Sequence, residues 1–368
     1  MSASHAEIQA AKRLVRDFHQ ALDAAPLHSL VGVFEQFASP DVRWRGVHPF
    51  DEQIGAANIV GAFWAPMRRS FAPLQRRRDI FLAGSNIAHR PAVDADVDSG
   101  AAGDEEGVWV CEMGHLVGLF DQPWLGIPPT GRMAFNRYAE FSHVVENVIV
   151  EQSLHVDVIS VMRLAGHDPL PPQYGADIVQ PGPMNHDGLL DTEQPSEAGD
   201  VTMALVNDMI ELLTAMNDRA DDECTPEELA QHWHDDMIWY GPAGIGTTYT
   251  IRRYQRQHQR PFRKNLHAKR FNGHVARFAE GEFACFFGWP NLSNRASGGF
   301  LGLPGNEIDA DMRVIDIYRR DGDKLAENWV FMDLPHYLRM QGLDVLGRMR
   351  DQLFIPSETN NQEQPIER

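Results

Sequence analysis

Two stretches of this chain place an acid where a strand can carry it. His155 and Asp157 lie two residues apart at the end of one apolar run, and Trp329, Phe331 and Asp333 follow the same spacing in another. Residues two apart on a strand share a face, so each set can line one wall. A carboxylate in a dry pocket has a raised pKa and takes a proton more readily, which is what abstraction from carbon beside a carbonyl requires. The resulting enolate needs a hydrogen-bond donor, and His155, His115 and Tyr138 all qualify. The competing reading makes Asp157 and Asp333 strand-end carboxylates that pair with an arginine or cap the next helix.

The chain has eight tryptophans. Trp44, Trp109 and Trp124 in the first half and Trp239, Trp289 and Trp329 in the second are candidate walls for a flat apolar ligand, with core packing as the alternative. Trp124 and Phe300 each open a Leu-Gly-x-Pro segment, a place suited to a mouth or lid. Other chemistries lack their motifs. His232-Trp233-His234-Asp235-Asp236 has no accompanying ligand set, so no metal is expected. Gly241 to Gly246 is glycine-rich without the Gly-Lys-Ser/Thr ending of a phosphate loop. There is no Gly-x-Ser-x-Gly elbow, and no cysteine has an evident histidine partner. Acid and base chemistry without a cofactor is what remains.

These residues need elements to hold them, and the elements come twice. Ile8, Ala11, Leu14, Val15, Phe18 and Leu22 mark a helix with one buried stripe, and Val201, Leu205, Met209, Leu212 and Met216 mark another. A short strand is expected at Asp41 to Gly46, and Asp236 to Gly241 matches it at the Asp, Trp and Gly. Trp124 to Asp168 lies over Phe300 to Asp344 without a gap, at a single offset of 176 (300 − 124). Leu125, Gly126, Pro128, Arg137, Glu151, Asp157, Arg163 and Gly166 fall on Leu301, Gly302, Pro304, Arg313, Glu327, Asp333, Arg339 and Gly342. A duplicated folding unit explains this register.

With 368 residues the chain is long enough for two cores. The first domain is expected over 1–168, with a surface insertion near 90–107 that has too few apolar residues to pack. A linker is expected over 169–199, where six prolines and four glycines gather. The second domain follows over 200–350, and a tail over 351–368. Helices first and hairpin strands last is an α+β layout, and Asp321-Gly322 suits the closing turn.

The run from Asp321 to Asp333, with Gly322, Lys324, Glu327, Trp329 and the final Asp, resembles the closing hairpin of SnoaL-like polyketide cyclases in the nuclear-transport-factor-2-like superfamily. Asp323 is inserted before the lysine. Leu334 to Gly342 is similar to the Leu-rich segment that ends such domains, and the first half keeps Glu151, His155 and Asp157. The resemblance covers about 6–168 and 200–346. It implies two tandem cone-shaped α+β barrels, each with helices packed in a curved, mostly antiparallel sheet. It also implies Asp157 with His155 as an acid/base pair for aldol closure or isomerisation. Asp333 is the matching base in the second half, where Phe331 replaces the histidine. The same fold also carries binding or assembly modules and hydrolases.

A net charge of −19 argues against a nucleic-acid partner, and no apolar run is long enough to span a bilayer. The first residues lack the pattern of a secretory signal, so a cytoplasmic location is expected, with reduced cysteines. The expected partner is a hydrophobic or aromatic small molecule. Related domains pair through their sheets, so a pseudo-dimer within the chain is expected.

Overall fold

The computed structural model describes residues 3–88, 107–217 and 224–353. Most of the expected insertion and the end of the tail lie outside them. No helix among the described residues is long and apolar enough to cross a membrane.

The first half runs α1 (His5–Ala24), α2 (Leu30–Phe37), β1 (Ala38–Gly46), β2 (Asp51–Ile54), α3 (Ala56–Ile59) and α4 (Ala65–Ser70), the last two joined by a π turn. It continues with β3 (Gln75–Gly84), β4 (Val108–Leu119), β5 (Met133–Val145), β6 (Val148–Val156) and α5 (Val158–Leu164). The second half repeats this order: α6 (Ser196–Asn217), α7 (Pro226–Leu229), β7 (Trp233–Tyr240), β8 (Thr247–Tyr249), then α8 (Ile251–Tyr254) and α9 (Arg260–Asn265), again joined by a π turn. Where the first half has three long strands, the second has six shorter ones: β9 (His267–Phe271), β10 (Ala276–Glu280), β11 (Phe283–Phe287), β12 (Leu292–Arg295), β13 (Asp309–Met312) and β14 (Val314–Asp321). It closes with β15 (Lys324–Met332), α10 (Leu334–Met340) and α11 (Val345–Leu353).

The first sheet has strand order β2-β1-β6-β5-β4-β3 and the second β8-β7-β15-β14-β11-β10, while β9, β12 and β13 form a small third sheet. One pair in each large sheet, β1 with β6 and β7 with β15, is parallel. The fold is α+β, two tandem cones with helices packed in curved, mostly antiparallel sheets.

Local chemistry sets these elements. Ser4 caps α1 with Glu7 closing the box, and Thr225 with Glu228 does the same for α7. The turn between β14 and β15 falls at Asp321 to Lys324, and Gly322 takes the positive φ of 62° that it needs. The shared Trp-x-Gly also has a cause. Residues two apart share a face, and a Cβ at Gly46 would stand 2.2 Å from the Trp44 ring, or at Gly241 1.9 Å from that of Trp239. The glycine leaves room for the indole to lie back over the strand.

Each sheet is buried on both faces. One face of each meets its helices. The other faces meet each other, with Ile80, Leu82, Trp109, Cys111, Met113 and Phe141 against Phe278, Phe283, Cys285, Phe287, Ile315, Ile317 and Trp329. Phe141 packs on Phe287 at 4.8 Å between ring centres, and Trp109 meets Phe287 edge-on at 5.5 Å. Residues 169–195 form a strap over this junction: Phe81 N donates to Gly188 O, Trp329 Nε1 to Pro181 O, and Asp187 pairs with Arg319.

Candidate active site

The last strand of each large sheet ends in an aspartate that caps the next helix. Asp157 Oδ1 accepts from Ser160 N at 3.0 Å, and Asp333 Oδ1 from His336 N at 3.2 Å. The second oxygen of each reaches across to the other half. Asp157 Oδ2 accepts from Ala243 N at 2.8 Å, and Asp333 Oδ2 from His48 N at 2.9 Å. Arg43 and Ile238 occupy matching ladder positions, opposite Glu151 and Glu327, and His48 and Ala243 each lie five residues further on. The two bonds are therefore mates in a reciprocal clamp. Arg313 adds a bond to Asp333 Oδ2 at 3.2 Å. Even so, burial pushes the Asp333 carboxyl above its usual value, outweighing Arg313 and the two amides.

Strand parity sends the neighbours of these acids to the junction between the sheets, not into the cones as a pocket wall would require. His155 is buried there 6.0 Å from the Trp289 ring, and burial, with Arg313 adding to it, pushes its pKa down to about 3, so it is neutral. Trp329 stacks on Tyr240 at 5.2 Å and Trp109 on His143 at 4.7 Å. Phe331 lies under Arg137 and Trp289 under Arg313, both at 3.8 Å. His115 bonds Asp79 at the rim. The remaining aromatic candidates do face the helices. Trp44 and Trp124 pack around Phe50 in the first cone, and Trp239 stacks on His258 at 3.9 Å in the second. Phe300 packs edge-on against Tyr337. Tyr138 is fully buried, its hydroxyl on Glu112.

Tyr138 leads into a polar cluster inside the first cone that the sequence reading did not single out. His19 on α1 sits between Glu112 and Glu140, with 3.1 Å from Nδ1 to one and 3.1 Å from Nε2 to the other. Arg76 bonds both glutamates, Arg78 bonds Glu112, and Gln152 donates to Glu140 at 2.8 Å. Burial opposes the charge on Glu112, but His19, Arg76 and Arg78 outweigh it and hold its carboxyl well below the usual range. Burial and Arg76 oppose the charge on His19, and the two glutamates outweigh them and raise its pKa. Charge meets opposite charge throughout this cluster.

The offset of 176 places Glu140 over Asp316 and Gln152 over Asn328. An acid on the penultimate strand and an amide on the last thus recur inside the second cone. Here the surroundings differ. Ile315 and Ile317 point to the sheet junction, so Asp316 and Tyr318 point inward. The Asp316 carboxyl accepts from the Tyr318 hydroxyl at 3.3 Å and from Asn328 Nδ2 at 3.4 Å, and has no ion-pair partner among the described residues. Burial pushes it up to about 7, with Asn328 and Tyr318 opposing. Asp316 is nevertheless only half-buried: it is walled by protein and keeps accessible surface. Tyr254 stands near enough for the Asp316 charge to raise its own pKa, after burial. The result is a desolvated carboxyl poised near neutrality among hydroxyl donors.

No family model and no curated protein matches the sequence. Solved structures are similar to it over about two fifths of its length. A candidate SnoaL-like polyketide cyclase from Jannaschia sp. CCS1 is 20% identical, covering 45% of this chain and 94% of its own, with a TM-score of 0.29. IdmH, a candidate polyketide cyclase from Streptomyces antibioticus, is 16% identical over 41% and 97%, with a TM-score of 0.30. An NTF2-like protein from Burkholderia xenovorans LB400 is 13% identical over 39% and 96%, with a TM-score of 0.31. Each of these three structures is matched over nearly its whole length by about two fifths of this chain.

Proposed function

We propose that the chain is a cofactor-independent acid/base enzyme that abstracts a proton beside a carbonyl of a hydrophobic small molecule, with Asp316 in the second cone as the base. The observation that carries this reading is an inward carboxyl with no ion-pair partner among the described residues, pushed up to about 7 by burial. As carboxylate, Asp316 takes the proton from carbon and the bonding pair moves onto the carbonyl oxygen. The Tyr254 hydroxyl is the donor assigned to that oxygen, since the Tyr318 proton is held by Asp316 itself. Return of the proton to another carbon completes an isomerisation. Attack of the enolate on a second carbonyl, with the proton passed to the new alkoxide, completes an aldol closure.

The first cone has a different part in this reading. Its glutamates are neutralised by cations, so it serves as a closed structural partner. Asp157 and Asp333 act as clamps, since all four of their oxygens accept bonds. In this reading 169–195 is the strap between the two halves, and α6 opens the second.

Exchange of α-protons with deuterium oxide, followed by NMR over a panel of hydrophobic ketones and β-keto esters, tests the assignment. Asp316→Asn is expected to lower exchange by about 100-fold or more, as loss of a general base does. Asp157→Asn and Asp333→Asn are expected to stay within a few-fold. The opposite pattern would return the chemistry to the strand-end pair.

A further inference from the structure

A hollow of about 360 Å³ lies between the start of β5 and α5 of the first half, residues 173–180, and the loop after β7 in the second half. It falls in the size range of small-ligand sites. Arg137 lines it. Its side chain is buried, with the guanidinium over Phe331 and Nη2 donating to Tyr240 O at 3.1 Å. Its Nε and Nη1 have no hydrogen-bond partner among the described residues. Buried donors of a charged group cost free energy unless an acceptor meets them.

The mate of Arg137 states which acceptor fits. Arg313, 176 residues on, lies over Trp289 in the same way, but its Nη1 donates to Asp51 Oδ1 at 3.0 Å as well as to Asp333. Asp51 lies eight residues beyond Arg43, and eight residues beyond the matching Ile238 stands Gly246. Arg43 pairs with Ile54, and Ile238 with Tyr249, so the two turns are of equal length. Gly246 also lines the hollow. One arginine of the pair is met by a carboxylate from its own chain, and the other faces a groove with a glycine where that carboxylate would be.

We propose that this groove binds a small organic carboxylate with an apolar body, its carboxylate on the Arg137 guanidinium. Planar, two-pronged donation is what a guanidinium offers a carboxylate. The apolar body has its own wall: Met133, Leu164, Ile178 and Val179 all line the groove and are exposed at 58%, 39%, 46% and 64%. Two acids also line the groove. Asp157 has both oxygens committed to backbone amides, and Asp177 is exposed, where solvent screens it. The site is separate from Asp316, so it stands whether or not the acid/base reading does.

Calorimetric titration of the full chain with sodium octanoate and with octan-1-ol tests the proposal. Octanoate is expected to bind, and the alcohol, which lacks the charge, to bind at least about tenfold more weakly. Arg137→Met is expected to abolish octanoate binding. Val179→Asp, on an exposed side chain, is expected to weaken it at least about tenfold with an unchanged melting temperature, because it adds a like charge and removes part of the apolar wall. If Arg137→Met fails to fold, Val179→Asp decides. Equal affinity for acid and alcohol, octanoate binding indifferent to Val179→Asp, or no binding of octanoate up to about 10 mM would each overturn the assignment.

Discussion

Asp316 and Glu140 stand at the same place in two sheets, but their neighbours differ. Glu140 shares Arg76, His19 and Gln152, whereas Asp316 has two weak neutral donors. A carboxyl whose folded pKa of about 7 lies above its unfolded value near 3.8 costs stability once ionised. Stability should therefore fall as pH rises from about 4 to about 7 and stay level beyond. Asp316→Asn removes that cost: it should match the parent at pH 4 and exceed it at pH 8 by on the order of 2 kcal/mol, a figure reduced for the accessible part of the group. Urea titrations at the two pH values measure this, and the gain in stability should accompany the loss of exchange. The first-cone cluster carries the reverse signs. Glu112, held low, adds stability that is present above about 4.5 and lost as pH falls. His19, raised, adds stability that is present below about 6.5 and lost as pH rises through its folded pKa. Glu112→Gln breaks a buried charge cluster and is expected to cost about 3–5 kcal/mol, most clearly between those limits.

The elements explain why the acid at the end of each last strand recurs. Asp157 and Asp333 each start a helix and tie it to the turn after the first strand of the opposite half. Replacing either by alanine removes a cap and a buried cross-bond, a loss of about 1–3 kcal/mol on chemical denaturation. The sequence carried the strands, the shared Trp-x-Gly, the closing turn and the register of the two halves, because ladder pairing and turn geometry restrict residue types locally. It did not carry the direction of each face. A strand buried on both sides mixes polar and apolar residues on each face, so alternation alone could not tell that Phe331 and Trp329 meet the other sheet while Asn328 and Asp316 look inward. Glu140 and Asp316 lay in the aligned stretch, but as an acidic pair that is similar without being identical. His19, on a helix with an ordinary apolar stripe, gave no signal.

At the scale of the whole molecule the two cones share a core, since their apolar outer faces cover each other and the strap of 169–195 is pinned across them. Phe287 sits at the centre, touching Trp109 and Phe141 of the first sheet. Phe287→Ala is expected to cost about 3–5 kcal/mol and to lower one transition common to both halves. Two separate melting steps in the parent protein would be inconsistent with a shared core. That junction fixes the second sheet against a rigid backing and so holds Asp316 toward the helices, where its protonation state matters most. Carboxyl ¹³C NMR of labelled protein, with Asp316→Asn to assign the signal, reads that state without any substrate. A midpoint for Asp316 at about 7 is expected; a midpoint near the ordinary aspartate value of 3.8 would contradict a desolvated base in the second cone.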